Sequence, residues 1–325
     1  MTWTAFTRAS LKDAVLSGVN LESTEALRAT GTGFLETAPI EAVFLQSIVS
    51  WNALTPPNSG LRLEVRVRFG TRWTAYLRLA DWTDDPSQNT SFDTFCSDFS
   101  LETDTIICRT PADALQIRVT LRGAVVLTGL AATFDTPPSP TPPSRTAWGL
   151  ELAVPLRSQM IYPDGGRVWC SPTSTTMLLE YWSGKLGREL AQTVPEAAQA
   201  VWDVAYGAGN WAFNMAYASR TGLQAYIAHL DSLYAAAEFL ARGIPIALSI
   251  GWTEGELSGA PVGHSQGHLI VLRGFTVTGD PIVNDPAHPT DAAVRVVYNR
   301  AELENAWQKH SGGIVYIVQP NPYTS

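Results

Sequence analysis

The chain has 325 residues, with 22 Lys and Arg against 30 Asp and Glu, for a formal net charge of −8. This is about twice the ~150 residues typical of one domain, so two domains are expected. Apolar residues make up 45% and charged residues 16%, which suits packed cores and argues against a disordered chain, a basic nucleic-acid binder or a binder of anionic membranes.

No apolar run reaches the ~18–20 residues of a spanning helix, so no membrane insertion is expected. The opening MTWTAFTRASLKDAV has no apolar stretch behind a basic start, so no signal peptide is visible. The early part of the chain reads as β. Residues 61–69 alternate Leu61, Leu63, Val65, Val67 and Phe69 with Arg62, Glu64, Arg66 and Arg68, a period that separates an apolar face from a charged one. After Gly70 the alternation resumes with Trp73, Ala75, Leu77 and Leu79, which predicts a hairpin with Trp73 facing the core. Ile117, Val119 and Leu121 repeat the pattern. Turn clusters at 55–60 and 83–89 punctuate the strands, and the spacing predicts an antiparallel β-sandwich over 1–135. Trp3, Trp51 and Trp82 are also expected in its core rather than as sugar-stacking surface rings. Cys96 and Cys108 lie twelve apart, either as a bridge in an oxidising compartment or as two free thiols.

Residues 136–144 read TPPSPTPPS. Proline fixes φ and removes a donor, so 136–147 is expected to be a Pro-rich linker. Net charge is −4 before residue 136 and −4 after residue 144, so charge does not distinguish the halves.

From 148 to 325 the pattern is mixed. Helical spacing fits 172–183, 195–206, 210–221, 231–242 and 300–309; strand-like runs fit 244–250, 268–277, 281–285, 294–298 and 313–318. Helices first and strands later indicate an α+β domain. Asn299, with Glu302 three residues on, is a candidate cap for the last helix.

Cys170 precedes Pro172, a residue suited to a first helical turn. Cys170 is therefore expected at a helix N-terminus, where unpaired N–H groups and the macrodipole favour a thiolate. A nucleophilic thiol needs a base, and all five His lie after residue 228. His268 heads the apolar run HLIVLRGF, and the next strand ends Asn284-Asp285-Pro286, where a side chain can hold an imidazole in one tautomer. His264, His268 and His288 with Asp285 do not have a zinc-ligand spacing, so neither metal nor cofactor is expected.

WCSPTSTTMLLEYWSG, GHLIVLRGF and IVNDPAH together resemble the C39-like cysteine peptidases of the papain-like superfamily. The resemblance covers roughly 150–320. It implies a papain-like fold, with Cys170 as nucleophile, His268 as general base and acid, and Asp285 orienting His268. VPLRSQ resembles the segment carrying the family's glutamine, which implies Gln159 as oxyanion donor beside the Cys170 N–H. Ser171 departs from the family's glycine, YPDGGR is inserted between Gln159 and Cys170, and His264 competes with His268. The implied activity is thiol hydrolysis of peptide or related amide bonds through an acyl-enzyme, on a peptide or protein substrate. The β half would then be an accessory domain open to a polymer or surface ligand. Two alternatives stand beside this reading: an inactive C39-like binding or adhesion protein, and a cell-wall peptide hydrolase or transamidase using the same residues. The missing signal favours the cytoplasm, while the resemblance leans toward a secreted or cell-surface protein. The Gly-rich segment 253–266 is expected to be a mobile flap.

Overall fold

The computed structural model describes residues 2–5, 14–23, 26–135 and 140–321. The chain forms two compact units, Met1–Thr136 with Val201–Arg220, and Pro137–Ala200 with Thr221–Ser325. Segment 201–220, which sequence spacing grouped with 148–325, thus belongs to the first unit. Part of the Pro-rich stretch lies outside the described residues, and 140–145 has no regular structure. No helix among the described residues is long and apolar enough to cross a membrane.

The first unit contains β1 (Thr2–Ala5), β2 (Val15–Ser23), β3 (Ala26–Glu36), β4 (Ile40–Leu54), β5 (Gly60–Phe69) and β6 (Arg72–Trp73). It continues with β7 (Leu77–Thr83), β8 (Thr90–Ser91), β9 (Thr94–Phe95), β10 (Phe99–Glu102), β11 (Thr105–Gly123) and β12 (Val126–Phe134). All pair antiparallel in one 12-stranded network. The all-β antiparallel character read from the alternation is present, and β4 and β11 are long and bulged and change partners along their lengths. β11 meets β4 between 105 and 115, with bulges, β5 at 114–122 and β3 at 118–123.

In β5, Leu63, Val65 and Val67 are fully buried, as their alternation requires. Trp73 is not in the core. The hairpin pairs Trp73 with Arg68, and cross-strand partners share a face. The Trp73 ring therefore lies with the charges, under the guanidinium of Arg66 at 4.8 Å. Trp51 and Trp82 are fully buried, as expected; the Trp3 side chain lies outside the described residues. Cys96 and Cys108 are free thiols. Cys96 N–H bonds to Phe99 O on one side of β10, while Cys108 pairs with Phe99 on the other. Two strand spacings, about 9–10 Å, exceed the reach of a disulfide.

Two helices of the chain precede the inserted segment, and a third lies in it: α1 (Cys170–Leu186), α2 (Val194–Ala200) and α3 (Trp211–Ser219). Buried Asp203 accepts from Ser91 N (3.0 Å), Ser91 Oγ (2.6 Å) and Asn210 Nδ2 (2.8 Å). Asp104 accepts from Trp211 N at 2.7 Å, at the start of α3. Phe213 of α3 meets Trp51 and Trp82 edge-on, with ring centroids 5.8 and 5.2 Å away. Apolar burial and satisfied carboxylates thus join segment 201–220 to the β-strands.

The second unit holds α1, α2, β13 (Gln224–His229), α4 (Leu233–Ala241), β14 (Ile246–Trp252), β15 (Ser265–Phe275), β16 (Pro281–Asn284), β17 (Arg295–Val297), α5 (Arg300–Ser311) and β18 (Ile314–Gln319). Its antiparallel sheet runs β13-β18-β14-β15-β16-β17. All seven residues of β14 are buried, which explains the continuous apolar run. Helix α1 packs along β15, and Ser174 Oγ donates to Leu269 O at 3.0 Å. Asn299 caps α5 by accepting from Ala301 N and Glu302 N, as its position implied. Glu302 instead accepts from Ser258 N and Oγ. Lys309 binds Glu256 and Trp252 Nε1 donates to Val262 O, which tie segment 253–266 to α5 and β14.

Phe213→Ala is expected to destabilise the first unit by about 3–5 kcal/mol, since it empties a ring-lined core site. Chemical denaturation measures this, and an unchanged midpoint would contradict the assignment of α3 to that core.

Candidate active site

Cys170, His268 and Asp285 come together. Cys170 is the first residue of α1, so its sulfur stands at the positive end of a 17-residue helix. Pro172 sits in the first turn, where its missing N–H leaves no helical bond unmade. The thiol is hydrogen-bonded to His268 and is faced by the backbone N–H groups of Ser171 and Leu269. Burial pushes the thiol up, but His268 and these donors outweigh it and lower Cys170 below its ordinary value.

His268 leads the buried part of β15 and is 5% exposed. Its Nε2 lies 2.7 Å from Asp285 Oδ1, which leaves Nδ1 as the ring nitrogen available to the thiol. Burial lowers the imidazole, but the Asp285 charge, the hydrogen bond to Asp285 and the Cys170 contact raise it further, to about 10. The pair therefore favours thiolate and imidazolium at neutral pH. His264 is exposed, and the structure brings His268, not His264, to the thiol. Trp252 stands edge-on to the His268 ring, with centroids 5.8 Å apart.

Asp285 follows β16 and is fully buried. Burial penalises its charge, yet His268, Tyr298 and the Ala287 N–H together hold the carboxyl below its ordinary range. Ala287 N donates to Oδ1 at 3.0 Å, and Tyr298 OH donates to Oδ2 at 2.7 Å. Burial and the Asp285 charge push the Tyr298 phenol up, so it remains a donor. Spacing gave no sign of Tyr298: it closes an apolar run 13 residues downstream and has no motif around it.

Gln159 makes its hydrogen bonds to the segment before Cys170 and to the turn after Asp285. It is 3% exposed, and its Nε2 donates to Gly166 O at 2.5 Å, inside the insertion before Cys170. Its Oε1 is buried without a partner. Its backbone N donates to Pro286 O at 2.9 Å, so Gln159 does adjoin the turn after Asp285. A Cβ on Gly166 would fall 2.1 Å from Gln159 O, so the insertion closes on Gln159 only with glycine there. Ser171, where the family's glycine was expected, is buried, and its Oγ lies 2.7 Å from Tyr316 OH. The substitution is thus absorbed by a specific partner.

The fold and site define an α+β domain in which a helix-borne thiol meets an imidazole oriented by a buried carboxylate. A model described as the Peptidase_C39 like family matches residues 151–315, half of the chain, and one described as the Peptidase C39 N-terminal domain matches 24–129. The chain belongs to the Peptidase C39-like family. No curated protein matches it. Among solved structures, a protein described as a C39-like peptidase from Bacillus anthracis is 17% identical, with a TM-score of 0.35, covering 52% of this chain and 96% of that one. A glycosylation-associated protein complex from Streptococcus agalactiae is 12% identical (TM-score 0.26), covering 39% of this chain and 24% of that chain. A pectin-binding carbohydrate-binding module is 13% identical (TM-score 0.22), covering 43% and 96%.

Tyr298→Phe leaves Asp285 Oδ2 buried without a donor. A loss of about 1.5–3 kcal/mol of stability at pH 7 is expected, as for a hydrogen bond to a charged group. Denaturant titration checks this, and equal stability would contradict the bond.

Proposed function

We propose that the protein is a thiol hydrolase that cleaves peptide or related amide bonds through an acyl-enzyme. The observation that carries this reading is the contact of His268 with both Cys170 and Asp285. The Cys170 thiolate attacks the carbonyl carbon and the carbonyl π electrons move to oxygen. The His268 imidazolium gives its proton to the departing amine, leaving a thioester on Cys170. Water then attacks the thioester as His268 takes its proton. The acid leaves, and thiolate and imidazolium are restored. Asp285 holds the ring in one orientation throughout and stabilises its charge whenever it is protonated.

The oxyanion needs donors placed before the reaction. The Cys170 N–H, free of helical bonding at the start of α1, is one. Gln159 Nε2 carries a second proton beside the one given to Gly166, and is the other donor in this reading. The substrate is a peptide or protein segment, and no cofactor takes part.

Cys170→Ala is expected to reduce hydrolysis of a mixed peptide library by about a thousandfold or more, because the acyl-enzyme cannot form. Gln159→Ala should lower kcat by about a hundredfold. Cleavage products from the Cys170→Ala protein at the parent rate would overturn the mechanism. Product analysis with an added amine acceptor separates hydrolysis from transfer.

A further inference from the structure

The start of α1 carries two buried serine hydroxyls, and each meets a different strand. Ser171 Oγ lies 2.7 Å from Tyr316 OH on β18, and Ser174 Oγ donates to Leu269 O on β15 at 3.0 Å. Ser171, Ser174 and Tyr316 are fully buried. Residues three apart share a helix face, so one side of the turn is held against two strands that flank β14. One attachment alone leaves the turn free to rock about it, and the second removes that freedom.

The turn holds a donor in place. Pro172 has no N–H, and Thr173 N donates to Trp169 O at 3.0 Å, so the N–H groups of Cys170 and Ser171 stand outside helical bonding. The Cys170 N–H serves the oxyanion in the proposed mechanism. The Ser171 N–H faces the thiol sulfur, as does that of Leu269. The two attachments therefore bear on the two residues whose N–H groups meet the sulfur, Ser171 through its own hydroxyl and Leu269 through its carbonyl. A glycine at 171 would leave the backbone looser and supply no side chain to fasten.

We propose, resting on Cys170 as the nucleophile of the proposed hydrolase, that Tyr316 is a positioning residue: its hydroxyl fixes Ser171, so that the Ser171 N–H is already aimed at the sulfur when the thiolate forms. A donor set in place before charge develops stabilises that charge without reorganisation. A hydroxyl on β18 thus acts on the thiol through Ser171.

The test is the rate at which iodoacetamide alkylates Cys170 as a function of pH, followed by peptide mass, in the parent, Tyr316→Phe, Ser171→Ala and the double variant. Loss of either hydroxyl is expected to raise the midpoint of Cys170 reactivity by about 0.3–0.7 pH unit, which is about a 2–5-fold smaller thiolate fraction below the midpoint. The double variant is expected to shift no further than either single one, because the two hydroxyls form one contact. Tyr316→Phe keeps the ring, and denaturant titration reads any loss of stability separately. A merely structural role moves the denaturation midpoint and leaves the alkylation midpoint of the folded protein in place. Unshifted alkylation midpoints in both single variants, or shifts that add in the double variant, would overturn the proposal. Failure of the parent to cleave any peptide would overturn the hydrolase reading instead, and the alkylation midpoints would still decide the role of Tyr316.

Discussion

The short contact between His268 and Asp285 governs the second unit's chemistry. A fully buried carboxylate would ordinarily take up a proton, because burial penalises its charge by several kcal/mol. Here three donors converge on it: the imidazole, the Tyr298 hydroxyl and the Ala287 N–H. The carboxylate thus keeps its charge, which in turn raises His268 and keeps a proton on the imidazole. That positive ring, together with the helix start, lowers the thiol. The order of dependence runs from the buried carboxylate through the imidazole to the thiol.

The sheet supplies the required geometry. β15 and β16 are neighbours, so the head of one strand and the residue after the other meet without any long connection. Helix α1 lies on β15 and delivers its first residue to the same place. Trp252 at the end of β14 covers the imidazole's edge. Each side chain comes from a different element, which is why the cluster is absent from any one stretch of sequence.

Much of this was legible all the same. Pro172 and the helical spacing after it located the start of α1. Apolar runs located β14, β15 and β16, and Asn299 its cap. Cross-strand facts were harder to read. The alternation through Gly70 pointed Trp73 inward, but hairpin register pairs it with Arg68 on the charged face. Tyr298, Ser171's partner Tyr316 and the tie of Gln159 to Gly166 depend on contacts remote in sequence or on loop closure. Segment 201–220 illustrates the same limit: Asp203 looks like an ordinary turn acid and Phe213 like an ordinary helix residue. Only long-range packing reveals that both are buried with the strands of the first unit.

The central claim is that Cys170 rests as a thiolate paired with the His268 imidazolium. Titrating the ultraviolet absorbance of the thiolate against pH, with Cys170→Ala as the blank for Cys96 and Cys108, measures it directly. The account predicts a Cys170 midpoint well below the ~8.5 of a free thiol, moving back toward that value in His268→Ala. A single midpoint at about 8.5 in both proteins would contradict it.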